Sequence, residues 1–316
     1  MTHLPGLVAQ ILHIALMTAT APLVSGLVVW LEARLCGRSG VSPLEPWRML
    51  VRLARKQPVV AQNATLLSRA GPVVQLAAVA VAAALVPSFA LGMTSAPLAD
   101  LLVLAGLLML GRSTVAFAAM DTGEAVGGIG ASRAMGFAAF AEPALVMVIF
   151  TLSWRASSSN LDRIAALSRE GALGSGASVL LAAAALGSLA LADTVLAGRP
   201  GGSELIGVGR PLAHEFSGRD LALIEGATHL RRLLWLTMIA TIFLPLGLAP
   251  AGSSVPAWAV GVASWFGKVL GLSAVFALFG MALAPAPSRR IPTLLGLVIL
   301  LGLLAAMLLF VGEGTA

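Results

Sequence analysis

The chain has no tyrosine, one cysteine, four histidines and few charges: Asp, Glu, Lys and Arg together make up 11% of its 316 residues. About 25% is usual for a water-soluble domain. With 58% hydrophobic residues and a mean hydropathy of +0.95, so thin a charge set excludes a soluble enzyme and leaves a polytopic membrane protein. The lone Cys36 cannot hold an iron–sulfur cluster, which takes about four thiolates, and the scattered histidines lack the spacing of a zinc or haem site. This chain is therefore expected to hold no cofactor, and any redox metal is expected in a partner. The net charge of +6 and the pI near 11.1 arise from loop residues, as membrane topology alone predicts, so no nucleic-acid partner is expected.

Long apolar runs are what the chain does have. Crossing a hydrocarbon core of about 30 Å takes about 20 residues, and eight stretches qualify, at about 7–31, 70–91, 97–119, 134–153, 173–196, 230–249, 256–280 and 291–311. The expected fold is all-α: one membrane domain over residues 1–316, with eight transmembrane helices and both termini on one side. The first run has no Lys or Arg before it and is too long for a signal peptide, so it is read as a helix of the mature protein. Arg34, Arg38, Arg48, Arg52, Arg55, Lys56, Arg210, Arg219, Arg231 and Arg232 fall on one side with most of the other cations, against Arg155, Arg163 and Arg169 on the other. That asymmetry places both termini outside the cytoplasm of a cell inner membrane.

The two long loops, about 32–69 and 197–229, then share the cytoplasmic face, where a partner would dock. In the first, Pro46 opens a segment whose Arg48, Arg52, Arg55 and Lys56 share one helical stripe, with Trp47, Leu50, Leu53 and Ala54 on another. Such a basic amphipathic helix lies on anionic lipid or docks protein. In the second, Ser217 and Asp220 have capping-box spacing and start a helix running into the sixth span. Its Glu225, His229 and Arg232 form a polar stripe, read as a solvated helix end.

Ionisable groups inside the bilayer persist only when paired or hydrated. Glu142, about 13 Å into its span by helical rise, Arg112, about 12 Å into its own, and Lys268 near a span centre are expected to turn toward one shared cavity. Asp121, Glu124 and Asp193 would form its mouth. The plainer alternative is a structural ion pair on Glu142, with Arg112 snorkelling to the surface. His13 has no ionisable partner in sequence and is read as a hydrogen-bonded packing residue. The string Gly127-Gly128-Ile129-Gly130 is read as a tight turn rather than a phosphate loop, because no strand precedes it.

Several ordered strings then carry a resemblance. Asp121-Thr-Gly, Gly128-Ile-Gly-Ala-Ser-Arg133, Glu142-Pro143, Glu215-Phe-Ser-Gly-Arg219 continuing to Glu225, Phe243-Leu-Pro-Leu-Gly247, Lys268 and Arg290-Ile-Pro292 resemble the respiratory complex I subunit 1 family. Loop-one residues Arg34, Arg38, Pro46, Arg52, Arg55 and Lys56 agree in spacing. The match is closest to the membrane subunit of group 4 membrane-bound [NiFe] hydrogenases, called formate hydrogenlyase subunit 4 or hydrogenase-4 component C. The resemblance implies a non-catalytic subunit of an oxidoreductase complex whose cytoplasmic loops grip a peripheral arm. Hydrogenase large and small subunits would carry the nickel–iron and iron–sulfur centres, and antiporter-like membrane subunits would lie alongside in the lipid bilayer. It also implies that Arg133 and Glu142 line an inner cavity with Asp121 at its mouth, and that Glu204, Glu215 and Arg219 face the arm. Complex I relatives place a quinone near this cavity; hydrogenase relatives do not need one.

The chain departs from the family's acid-rich pattern. Val195 to Ser203 contains no acid, Gly209-Arg210 stands where relatives have a His-Glu pair, and Met49 stands for a loop-one aspartate. Fewer acids leave the anchor role intact and thin the proton relay. Two other functions fit eight spans: a quinone-site subunit of a complex-I-like oxidoreductase, and an independent ion transporter. The missing tyrosine and the reduced fifth loop count against the first. The second calls for inverted repeats, which these spans do not display.

Overall fold

The computed structural model describes residues 4–40, 42–173, 176–196, 209–250, 252–283 and 287–313. These form α1 (Leu4–Leu35), α2 (Glu45–Ala54), α3 (Leu66–Leu85), α4 (Leu101–Asp121), α5 (Ala125–Ala156), α6 (Leu161–Arg169), α7 (Ala177–Leu196), α8 (Gly209–His214), α9 (Gly218–Phe243), α10 (Val255–Leu283) and α11 (Pro287–Glu313). Runs of Leu, Ala and Val become helices because each backbone N–H and C=O in hydrocarbon must be satisfied within its own segment. Seven of them, α1, α3, α4, α5, α7, α10 and α11, are long and apolar enough to cross a membrane. The chain is an all-α multi-pass membrane protein. Prolines inside α1 (Pro22), α3 (Pro72), α5 (Pro143) and α11 (Pro292) are of the kind membrane helices tolerate, since packed neighbours re-satisfy the freed carbonyls.

The sixth expected span differs from its prediction. A span at 230–249 is expected, entered by a helix that starts at Ser217; α9 does begin at Gly218, with Arg219, Asp220 and Glu225 in its first turns, but it stops at Phe243, short of the expected end. Every residue from His229 to Ile242 is nevertheless buried. The reason is position: α9 touches α1, α2, α3, α6, α7 and α10, so its neighbours are protein rather than lipid. The largest apolar cluster forms around it, with Trp235, Trp265, Met17, Leu104, Val148 and Leu186.

The end of the bundle carrying α2 and α8, here the basic end, closes through side chain to backbone contacts. Val59 N–H donates to Ser217 Oγ at 2.7 Å. Ser217 is the residue preceding α9, yet its hydroxyl makes no cap, so the capping-box expectation fails there because Val59 takes the group. Gly218 adopts φ +54°, and an added Cβ would lie 2.4 Å from Gln57 O, so the crossing of the two loops requires glycine. The string from Gly127 to Gly130 is helix, not turn; the turn falls at Gly123, φ +74°. At the opposite end a two-residue parallel pairing joins Ala90–Leu91 to Ala249–Pro250. There α6 ties down the end of α9, Ser168 Oγ donating to Ile242 O and Arg169 to Leu248 O.

Candidate functional site

Contacts between helices fix which residues share a depth. Thr241 Oγ1 donates to Pro87 O at 2.7 Å, setting α9 level with the end of α3. Both helices run the same way at equal rise, so the same number of residues back brings His229 level with Gln75. An added Cβ at Gly111 would lie 3.5 Å from Gln75 O, which brings Arg112 to that depth as well. On α1, His13 pairs with Ala83 O at 2.9 Å and Ser88 Oγ at 2.7 Å, as its reading as a packing residue requires. Helix α1 runs opposite to α3, so Ser25 falls in the same layer.

Asp193 of α7 is the centre of this layer. Its carboxylate accepts from Arg112 of α4 at 2.8 Å and from Arg231 of α9 at 3.0 Å, and Trp235 Nε1–H donates to it at 2.9 Å. All four side chains are largely or fully buried. Each ion withdrawn from water costs several kcal/mol, so the arrangement holds only because carboxylate, guanidiniums and indole satisfy one another. Beside it Arg232 is buried. Among the described residues five buried polar atoms at this depth make no hydrogen bond: Ser25 Oγ, Gln75 Oε1, both nitrogens of His229 and Arg232 Nη1. Chemically the cluster is a charge node that locks α4, α7 and α9 in register, next to polar groups with unused hydrogen-bonding capacity.

Arg112 and Asp193 are the predicted site residues that meet. Glu142, Arg112 and Lys268 do not converge as expected. Arg112 is taken by Asp193, whereas Lys268 Nζ donates to Leu244 O at 3.0 Å and Leu246 O at 2.9 Å, beyond the far end of α9. Glu142 is half-buried on α5 and has no ion pair or hydrogen bond among the described residues. Helical rise fixes the height of a residue but not the direction it faces, which is why depth alone misled. Arg133 and Glu124 are exposed. Asp121 accepts from Thr65 N–H at 2.7 Å and Thr65 Oγ1–H at 2.8 Å, and from Ser68, so it secures the start of α3. The stripe of Glu225, His229 and Arg232 enters the bundle rather than solvent, correcting its reading as a solvated helix end: His229 and Arg232 are buried.

Of the residues expected to face a docked arm, Arg38, Arg55, Lys56 and Arg219 are exposed, and Arg34 stacks 5.3 Å over Trp30. Arg52 pairs with Glu45, with Arg48 at 4.0 Å from the same carboxylate. Glu215 accepts from Thr122 Oγ1 at 3.1 Å and packs on Gly127, where an added Cβ would lie 2.7 Å from Oε1. Glu204 lies outside the described residues. Arg231, Arg232, His229, Gln75 and Trp235 were missed as site residues. The available signal was a pair of arginines directly abutting Leu233-Leu234-Trp235-Leu236, with no turn residue between. Among the described residues no group of three or more His, Cys, Asp or Glu is placed to hold a metal ion.

Comparison with known proteins adds sequence and fold. The model of the NADH dehydrogenase family matches residues 8–312. Formate hydrogenlyase subunit 4 of Escherichia coli (strain K12) is 27% identical over 234 residues, covering 72% of this chain and 75% of that protein. Hydrogenase-4 component C of the same strain is 29% identical over 236 residues, covering 72% of each. A chain of the membrane-bound sulfane sulfur reductase, an archaeal respiratory membrane complex, superposes with a TM-score of 0.71 at 17% identity, over 95% of this chain and 98% of that one, so it shares the fold.

Proposed function

The chain belongs to the NADH dehydrogenase family, in its complex I subunit 1 type, and from that premise we propose that it anchors a hydrogenase- or formate-hydrogenlyase-like complex in the membrane. In this reading it grips a peripheral redox arm and links it to ion-translocating membrane subunits. Helix α9 is the eighth crossing, the basic end faces the cytoplasm and both termini lie outside the inner membrane. The hydrogenase large and small subunits supply the nickel–iron and iron–sulfur centres, and this chain supplies the platform.

The observation that carries the reading is the closure of the basic end. Ser217 with Val59, Asp121 with Thr65 and Ser68, and Glu215 with Thr122 tie both long loops to the ends of α3, α4 and α9. A rigid surface is built while Arg38, Lys56 and Arg219 stay exposed on it. Fixed backbone with free cations suits a docking face, because complementary charge steers and registers a partner. Below the platform the Asp193 node ties three helices together, so a shift at the surface reaches α7. Glu142, half-buried on α5 and unpaired among the described residues, is assigned in this reading to a cation on a neighbouring membrane subunit.

The test is co-purification from the native host in mild detergent. The tagged wild type brings down nickel–iron and iron–sulfur subunits, and K56E with R219E lowers their recovery at least several-fold while the chain itself still accumulates. Equal recovery from wild type and variant overturns the docking role.

A further inference from the structure

Helix α2 sits low on the bundle. Pro43 O packs so closely on Gly26 that an added Cβ would lie 2.1 Å from it, and Trp47 reaches along α1 to donate its indole N–H to Ala19 O at 3.1 Å. On the far side of that contact α1 exposes Leu7, Val8, Ile11, Leu12 and Ile14, an apolar strip of the kind that faces acyl chains. From Thr20 to Ala33 α1 is covered, with α2 among the elements packed on it. So α2 lies along the margin where the lipid-facing strip of α1 ends.

The faces of α2 are ordered. At about 100° per residue, its buried side centres on Pro46, and its exposed side runs from an apolar edge to a basic one. Ala54, Val51 and Leu44 form the apolar edge, Val51 and Leu44 being 44% and 48% exposed. Arg55 and Arg48 come next, then Arg52 and Lys56. Trp47 lies beside the apolar edge and points along α1 toward mid-bilayer, which makes that edge the deeper one. Arg48 and Arg55 therefore project sideways, at the height where apolar surface gives way to basic surface. Glu45 is committed to Arg52 and lies only at 4.0 Å from Arg48, and Arg55 has no ion pair among the described residues.

We propose that Arg48 and Arg55 form a seat for the phosphates of anionic phospholipids in the leaflet at the basic end, with Val51 and Leu44 laid against the upper acyl chains. This rests on the membrane-subunit reading and leaves arm docking to the Lys56 and Arg219 side of the platform. Phospholipid is favoured over a protein partner by the exposed apolar residues one step below the arginines. The apolar edge is the one turned along α1 toward its lipid-facing strip, and a bilayer covers the apolar and basic edges at once. Each basic residue near an anionic surface contributes about a fivefold gain in binding, and the gain falls with added salt.

The full chain, purified in detergent and stripped of lipid, is titrated with phosphatidylglycerol or phosphatidylcholine and read by native mass spectrometry, with peripheral-subunit recovery from native membranes scored in parallel. Wild type is expected to retain phosphatidylglycerol over phosphatidylcholine. R48Q with R55Q lowers that preference about 25-fold and leaves arm recovery unchanged, R48K with R55K keeps most of it, and R163Q at the opposite end is silent. Unchanged phosphatidylglycerol binding in the R48Q and R55Q variant overturns the proposal, whether or not the arm is retained. Loss of the arm alone would assign these arginines to the partner protein instead.

Discussion

Two acids sit inside apolar helices of this chain, and they are treated in opposite ways. Asp193 on α7 is surrounded by Arg112, Arg231 and Trp235. Glu142 on α5 is half-buried with no partner among the described residues and stands next to the proline of its helix. A carboxylate satisfied within its own chain is part of the architecture. One left unpaired by its own chain is available to a partner outside it. The difference separates what holds this subunit together from what it offers to neighbours.

The strongest way to break the comparison is to remove the satisfied acid. D193A leaves two guanidiniums and an indole N–H buried without their common acceptor, and stranding a buried ion in this way costs about 3–5 kcal/mol. The variant is expected to fail to accumulate or to unfold many degrees below wild type in detergent, by thermal denaturation. A D193A protein as stable as wild type would mean that the three donors find water or other partners, and the node would lose its structural standing. Restoring an acid one turn away should not rescue it, since both arginines and the indole converge on one carboxylate.

A second acid held by shape rather than charge gives a smaller effect. Glu215 lies against Gly127, and a methyl group there would meet Ala119 O at 2.6 Å as well as Glu215 Oε1. Gly127→Ala should therefore destabilise by about 1–3 kcal/mol, the range for overpacking a tight contact. It should also raise hydrogen exchange at Thr122 and the start of α5, because Glu215 is displaced from Thr122. Unaltered exchange would show that backbone shifts absorb the methyl and that the loop does not depend on this contact.

How legible these features were follows from what each depended on. Seven crossings could be read because apolar length is a local property. The basic stripe of α2 was visible for the same reason. Asp193 is read from sequence as the mouth of a cavity at a helix end, and Arg231 and Arg232 as cytoplasmic-side cations at a solvated helix end. Their burial is conferred by the helices packed around α9, and no sequence window contains those helices. Glu142 and Lys268 were placed at sensible heights and given the wrong neighbours, because rotation about a helix axis is set by packing. Lys268 found two carbonyls where α9 ends early, a break that the apolar run through residue 249 conceals.

Glu142→Ala, the matched partner of the Asp193 change, should leave the isolated chain within about 0.5 kcal/mol of wild type, the usual range for a residue outside any network. Its effect belongs to the assembled complex, where activity coupled to ion movement in native membranes should fall. Coupled activity equal to wild type would reject a role for Glu142 at a neighbouring subunit. Destabilisation of the isolated chain would instead bring Glu142 into the same class as Asp193.

The smallest expected effect tests a fourth acid, outside the membrane spans. Asp162, at the start of α6, accepts the N–H of Gly92 at 2.8 Å, and burial pushes its carboxyl above the usual carboxylate range. Because the folded form holds its proton at a pH where the unfolded chain has lost it, Asp162 opposes folding above its raised value. That penalty is relieved as pH falls through it. Asp162→Asn keeps an acceptor for Gly92 and removes the titration. The stability of wild type relative to this variant should therefore rise as pH falls from neutral into the carboxylate range, by thermal unfolding at stepped pH. A difference that stays flat across that window would mean that the Gly92 hydrogen bond offsets burial fully, and Asp162 would then join Asp193 as an acid completed by its own chain.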